Sequence, residues 1–128
     1  MILLLDTHLL LWAAGAPERL SAEARSFLED SGNELVFSAA SLWEIEFKRG
    51  LGRADFSVDP RRLRQGLFAN HYREIPVTGE HAIALGRLPP LHKDPFDRIL
   101  VAQAEVEGIR LLTSDRLVGQ YGGAVQLV

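Results

Sequence analysis

Apolar positions in this chain fall into two kinds, short unbroken runs and longer stretches with helical spacing, and the two kinds alternate. Ile2 to Leu5 is unbroken and too short to show a face, which suits a parallel strand covered on both sides. Glu34 to Phe37, Glu74 to Val77, Ile109 to Thr113 and Ala124 to Val128 read as further strands. Pro76 lies within the third of these strands and hints at a sheet edge or an irregularity. Helical patterns cover about 7–14 and 21–30, broken by Gly15 and Pro17. Ser38 is placed to cap a helix running to Arg49 with Gly50 as its stop, and Asp59-Pro60 opens another that runs to about Asn70. Thr78 caps a short helix ending near Gly86. Beyond the rigid Leu88 to Leu91 loop, the clearest helix runs from Pro95 to Glu107 and is stopped by Gly108. The alternation predicts an α/β fold, a three-layer sandwich around a mostly parallel, about five-stranded central sheet. With no internal repeat, linker or low-complexity tract, residues 1–128 read as a single domain.

Composition narrows the chemistry. At 47% hydrophobic and 24% charged residues the chain has the balance of an ordinary soluble protein. The absence of cysteine excludes disulfides, thiolate catalysis and zinc sites built on cysteine, and is compatible with the expected cytoplasmic location. Residues 1–16 superficially resemble a signal-peptide core, but they lack a basic leading segment, and Asp6 and His8 split the apolar run. No stretch approaches the roughly 20 continuous apolar residues of a membrane span.

The candidate chemistry lies in separated acids. Asp6 and Asp115 each follow an apolar strand, Asp94 and Asp97 open the long helix, and Glu44 lies one and a half turns into the helix after the second strand. Ligands of parallel sheets bind beyond the carboxyl ends of the strands, which is where these acids converge. Each also has a structural reading: Asp6, Asp94 and Asp115 as caps, Asp97 as a partner of the helix dipole, Glu44 as the surface partner of Lys48 four residues on. Taken together they repel one another, and a divalent cation removes the conflict. Mg²⁺ prefers oxygen donors and takes few carboxylates directly, leaving the other acids to hold its waters or a second ion. Such a site suits hydrolysis of a phosphodiester.

Asp6-Thr7-His8, Ser41 to Ile45 around Glu44, His92 to Ala104 around Asp94 and Asp97, and Leu112 to Asp115 together resemble a PIN domain of the VapC toxin type. The match extends from Ile2 to about Tyr121, and its specificity lies in the order and spacing of the pieces. The resemblance implies a Mg²⁺- or Mn²⁺-dependent endoribonuclease, the toxin of a type II toxin–antitoxin pair. Its implied partners are an RNA substrate, a cognate antitoxin protein and a second copy of itself, as a homodimer or a higher assembly with antitoxin, with no membrane. Carried over by residue, the catalytic and metal-holding acids are Asp6, Glu44, Asp97 and Asp115. Asp97 fits the third position best, with Asp94 as a supporting group or helix cap. The family's small hydroxyl residue maps to Thr113 or Ser114. Arg116 stands where some members carry a further acid, which bears on whether a second metal is held.

Charge distribution says more than the net of −3. Lys48, Arg49, Arg53, Arg61, Arg62, Arg64 and Arg73 face only Asp55 and Asp59 within residues 47–73, a basic flank suited to a phosphate backbone, to a solvated face or to acids on an antitoxin. The candidate RNA contacts are Lys48, Arg49, Arg53, Lys93, Arg98 and Arg116, with His8 and His92 lying near the acids. Trp12, Trp43, Phe37, Phe47, Phe68 and Phe96 read as core. Two rivals stand beside the nuclease. One is a catalytically silent PIN-like adaptor that binds RNA or protein. The other is a different α/β phosphoryl-transfer enzyme, such as a receiver-like domain, which pairs adjacent acids after the first strand and places a lysine after the fifth. Here Asp6 stands alone, no lysine follows Lys93, and a silent module has no need of all the acids.

Overall fold

A computed structural model describes residues 1–128. Five strands, β1 (Ile2–Leu5), β2 (Glu34–Ser38), β3 (Arg73–Ile75), β4 (Arg110–Thr113) and β5 (Val125–Leu127), form one sheet in the order β3-β2-β1-β4-β5. Every pairing is parallel, so the sheet is wholly rather than mostly so. The helices are α1 (Thr7–Gly15), α2 (Ala22–Glu29), α3 (Ala39–Gly50), α4 (Pro60–Ala69), α5 (Gly79–Ala84), α6 (Pro95–Glu107) and α7 (Arg116–Gly119).

Residues alternate across the pleat, so β1 sends Leu4 to one face and Leu3 and Leu5 to the other. Leu4 joins Val36, Leu111 and the apolar side of α6, with Ala84 of α5 and Val118 of α7. Leu3 and Leu5 join Phe37, Leu112, Leu9 and Leu10 of α1 and Leu63 and Leu67 of α4. Helix α3 contributes to both clusters, Ala40 to the first and Ile45 to the second. It therefore rides over the carboxyl edge of the sheet rather than lying on one face, and this carries Glu44 to that edge.

Predicted caps hold the helices where the sequence placed them. Ser38, Asp59, Thr78 and Asp94 each accept a backbone N–H of the first turn of α3, α4, α5 and α6. Gly108 closes α6 in the left-handed conformation, φ 65°. Strand β3 is an edge strand that ends at Ile75, so Pro76 lies just past it rather than inside it. Three aromatics expected in the core are outside it: Trp43, Phe47 and Phe68 are exposed. Phe96 is buried beneath the first two, with Trp43 edge-on at 4.8 Å between ring centroids. No helix is long and apolar enough to cross a membrane.

Candidate metal centre

The two central strands deliver the first acids. Asp6 follows β1 directly, is buried, and caps α1 through an Oδ1 that accepts the Leu9 N–H at 2.9 Å. Its Oδ2 accepts the hydroxyl of Thr113, the last residue of the neighbouring β4, at 2.5 Å. Burial pushes the Asp6 carboxyl above its ordinary value, and the bonds from Thr113 and Leu9 work against the shift. Thr113 Oγ1 in turn accepts the N–H of Asp115 at 3.0 Å, fixing the turn that follows β4. Asp115 caps α7 by accepting the Leu117 N–H at 2.8 Å and leaves its side chain exposed. Of the two hydroxyl candidates, Thr113 is therefore the one bonded into the site.

Glu44 is buried rather than half of a surface pair. Its Oε1 accepts the Thr7 hydroxyl at 2.6 Å, and its Oε2 accepts Lys48 Nζ at 2.5 Å. The same Nζ reaches Asp94 Oδ2 at 3.2 Å. Asp94 also caps α6, accepting the Phe96 N–H through Oδ1 at 2.8 Å, so it fills both roles open to it in the sequence. Burial disfavours the Lys48 charge, but Glu44 and Asp94 outweigh it and raise the ammonium above its ordinary value. Lys48 is thus a member of the acid cluster, not a free hand for RNA.

Asp97 is strongly perturbed as well. Burial, followed by the charges of Asp94, Glu44, Asp6 and Asp115, pushes its carboxyl up to about 8. The acids spread along the sequence are therefore close enough in space to act on one carboxyl. His92 Nε2 lies 2.9 Å from Asp97 Oδ2 and 3.7 Å from Asp115 Oδ2. Donor atoms of His92, Asp97 and Asp115 all fall within 4.8 Å of one another. The imidazole nitrogen is buried there without a well-directed hydrogen bond. Carboxylates crowded without countercharge, Asp97 and Asp115 foremost, form an oxygen donor set that fits a hard divalent cation, and the unsatisfied His92 nitrogen marks the space between them. Asp6 and Glu44 stand just outside that trio, with their oxygens already accepting protein donors. His8, by contrast, sits over Phe56 and 3.5 Å from Asp55, away from the trio.

The basic flank is largely neutralised within the chain. Arg53 pairs with Asp55, Arg64 with Glu74, and Arg73 with Glu34. Arg49 comes no closer than 3.9 Å to Glu46. Arg98 is spent on structure, donating to the carbonyls of Pro89 and Leu85 and to the Tyr121 hydroxyl. Lys93 and Arg116 remain exposed beside Asp94 and Asp115. Sequence reasoning under-read His92 and Thr7. A histidine two residues before Asp94 and a hydroxyl directly after Asp6 were the available signals.

A parallel five-stranded α/β domain with carboxylates gathered at the carboxyl edge of β1 and β4 defines the class of protein. The PIN domain family model matches residues 3–123, and the chain belongs to that family. Ribonuclease VapC22 of Mycobacterium tuberculosis (strain ATCC 25618 / H37Rv) is 33% identical over 114 residues, which cover 88% of this chain and 86% of that protein. The fold is shared with the structure of VapBC2 from Rickettsia felis bound to a promoter DNA fragment, at TM-score 0.71 and 16% identity over 99% of this chain and 98% of that one. It is shared too with a toxin–antitoxin complex from Klebsiella pneumoniae, at TM-score 0.64 and 19% identity over 96% of this chain and 94% of the other.

Proposed function

We propose that this chain is a metal-dependent endoribonuclease, the toxin of a toxin–antitoxin pair. The observation that carries the reading is the gathering of Asp6, Glu44, Asp94 and Asp115 around Asp97, whose carboxyl is pushed up to about 8 by burial first and then by the charges of these acids. Similarity to Ribonuclease VapC22 supports RNA as the substrate, and likeness in fold to a toxin–antitoxin complex supports the partner.

Asp97 and Asp115 would hold a Mg²⁺ or Mn²⁺, with Asp6 and Glu44 completing the negative field and holding the ion's waters. When bound, the ion supplies positive charge to the phosphodiester and acidifies the attacking water. Thr113 and the N-terminus of α1 fix Asp6 in one rotamer, and Thr7 does the same for Glu44. This preorganisation spares the acids any rearrangement during reaction. Lys93 and Arg116, exposed beside Asp94 and Asp115, would meet the phosphates of the RNA backbone.

Cleavage of structured RNAs in Mg²⁺, with and without EDTA, tests the reading. EDTA and Asp97→Asn should each abolish cutting. Full activity in folded Asp6→Asn and Asp97→Asn proteins would sink it.

For the antitoxin, the apolar groove of about 520 Å³ between α1 and α4, lined by Leu11, Val58, Leu63, Leu67 and Tyr72, suits the nonpolar side of a partner helix. The exposed Trp43 and Phe47 on α3 would be the apolar surface that a second copy of the chain covers. Light scattering of Trp43→Asp checks this, with a monomer expected; an unchanged dimer would move the contact elsewhere.

A further inference from the structure

We propose that Lys48 is a built-in cation that stands in place of a second metal ion, so that the centre holds a single divalent ion. The inference rests on the metal-site reading above and adds to it the division of the acids into two sets.

Lys48 Nζ bridges Glu44 Oε2 at 2.5 Å and Asp94 Oδ2 at 3.2 Å, joining α3 to the start of α6. The remaining oxygens of this pair are engaged as well, Glu44 Oε1 by Thr7 and Asp94 Oδ1 by the N–H of Phe96. Neither carboxylate has an oxygen without a protein donor. In the other set Asp115 Oδ1 accepts the Leu117 N–H, but Asp115 Oδ2 and the Asp97 carboxyl meet no protein group other than His92, and the ligand atoms of these residues are the group close enough to share one ion.

The ammonium is not a loose surface charge. Its side chain is 12% exposed and one helical turn past Glu44 on the same face of α3. Nζ lies 4.9 Å from the ring centroid of Phe56 and 5.6 Å from that of Phe96. Two aromatic rings and two carboxylates therefore box it in, and attraction to the ring faces adds to the ion pairs. A two-ion phosphodiesterase centre sets its ions ~3.5–4 Å apart, and a second ion here would need the carboxylates on the Glu44 side free to hold it. Here the carboxylates on the Glu44 side already share a tethered monovalent charge. A second divalent ion would have to displace it against two ion pairs. Arg116, directly after Asp115, adds a second positive side chain where some members of the family carry a further acid.

The test is the number of Mn²⁺ ions bound per chain, read by calorimetry and by electron paramagnetic resonance on the full chain without RNA. The wild-type protein should bind one, Lys48→Arg one, and Lys48→Met two. Should Lys48→Met not fold, Lys48→Gln prepared in Mn²⁺ is the same test. Two ions in the wild type, or a folded Lys48→Met or Lys48→Gln protein that still binds one, would overturn the inference. The two readings fail separately. One bound ion with no RNA cleavage removes the ribonuclease and leaves Lys48 in its role, whereas metal-dependent cleavage with two ions removes the Lys48 role alone. No bound ion at all removes both.

Discussion

Thr113 donates its hydroxyl to Asp6 Oδ2 at 2.5 Å, tying the carboxyl end of β4 to that of β1 through a bond with both partners buried. The same oxygen accepts the Asp115 N–H, so one hydroxyl sets the position of two acids. Thr113→Val keeps the shape and removes both bonds, leaving a buried carboxyl short of a donor. It should cost about 1–3 kcal/mol of stability, measured by urea denaturation, and lower the rate of RNA cleavage as well. A stable variant with normal cleavage would mean that Asp6 is held adequately by the Leu9 N–H alone.

Asp97 makes the metal-free protein sensitive to pH. Its carboxyl sits at about 8 in the folded chain against an ordinary value of 3.8. Between roughly pH 4 and 8 the folded protein keeps a proton that the unfolded chain releases, so stability falls as pH rises across that window and levels off above it. Melting of EDTA-treated protein from pH 5 to 8 should show this decline, and Asp97→Asn should flatten it. Added Mg²⁺ should restore stability most at the alkaline end, because the ion binds the ionised acid.

His92 occupies the space between Asp97 and Asp115 without a well-directed hydrogen bond. Since Mg²⁺ prefers oxygen to imidazole, the ring should swing aside when the ion enters. His92→Ala is therefore expected to bind Mg²⁺ no more weakly than the parent, as read by calorimetry. An affinity loss of about tenfold, or ~1.4 kcal/mol, would instead make His92 a donor.

Arg98 ties Leu85, Pro89 and Tyr121 together and faces no acid of the cleft through an ion pair. Arg98→Ala should destabilise the fold by about 1–3 kcal/mol through carbonyls left unpaired. RNA affinity of a cleavage-dead Asp97→Asn background should not change on adding it. A clear loss of RNA binding in that comparison would return Arg98 to the nucleic-acid surface.

Much of the frame was legible because local chemistry and fold agree. Ser38, Asp59, Thr78, Asp94 and Gly108 mark helix ends by short-range bonds, and the unbroken apolar run from Ile2 to Leu5 suits a strand covered on both faces. The site was legible in its membership but not in its wiring. Spacing places Glu44 and Lys48 on one face of α3, yet nothing local says whether that face meets water or Asp94, because this depends on α3 crossing the sheet edge. The same crossing turns Trp43 and Phe47 outward, against their apolar character. The turn at Pro17–Arg19 and helix α7 were too short to leave a periodic trace.

The Thr113–Asp6 bond closes a span of 107 residues. A chain emerging from the ribosome presents Asp6 first, long before β4 exists to hold it in place. Until residues 110–115 are delivered, Asp6 lacks its hydroxyl donor and Asp97 lacks Asp115, so the nascent protein cannot assemble its cutting centre. Contacts this distant in sequence form late and slowly. For a nuclease synthesised among the RNAs it would cut, that delay is a form of protection written into the strand order: the last central strand to be made is the one that completes the site.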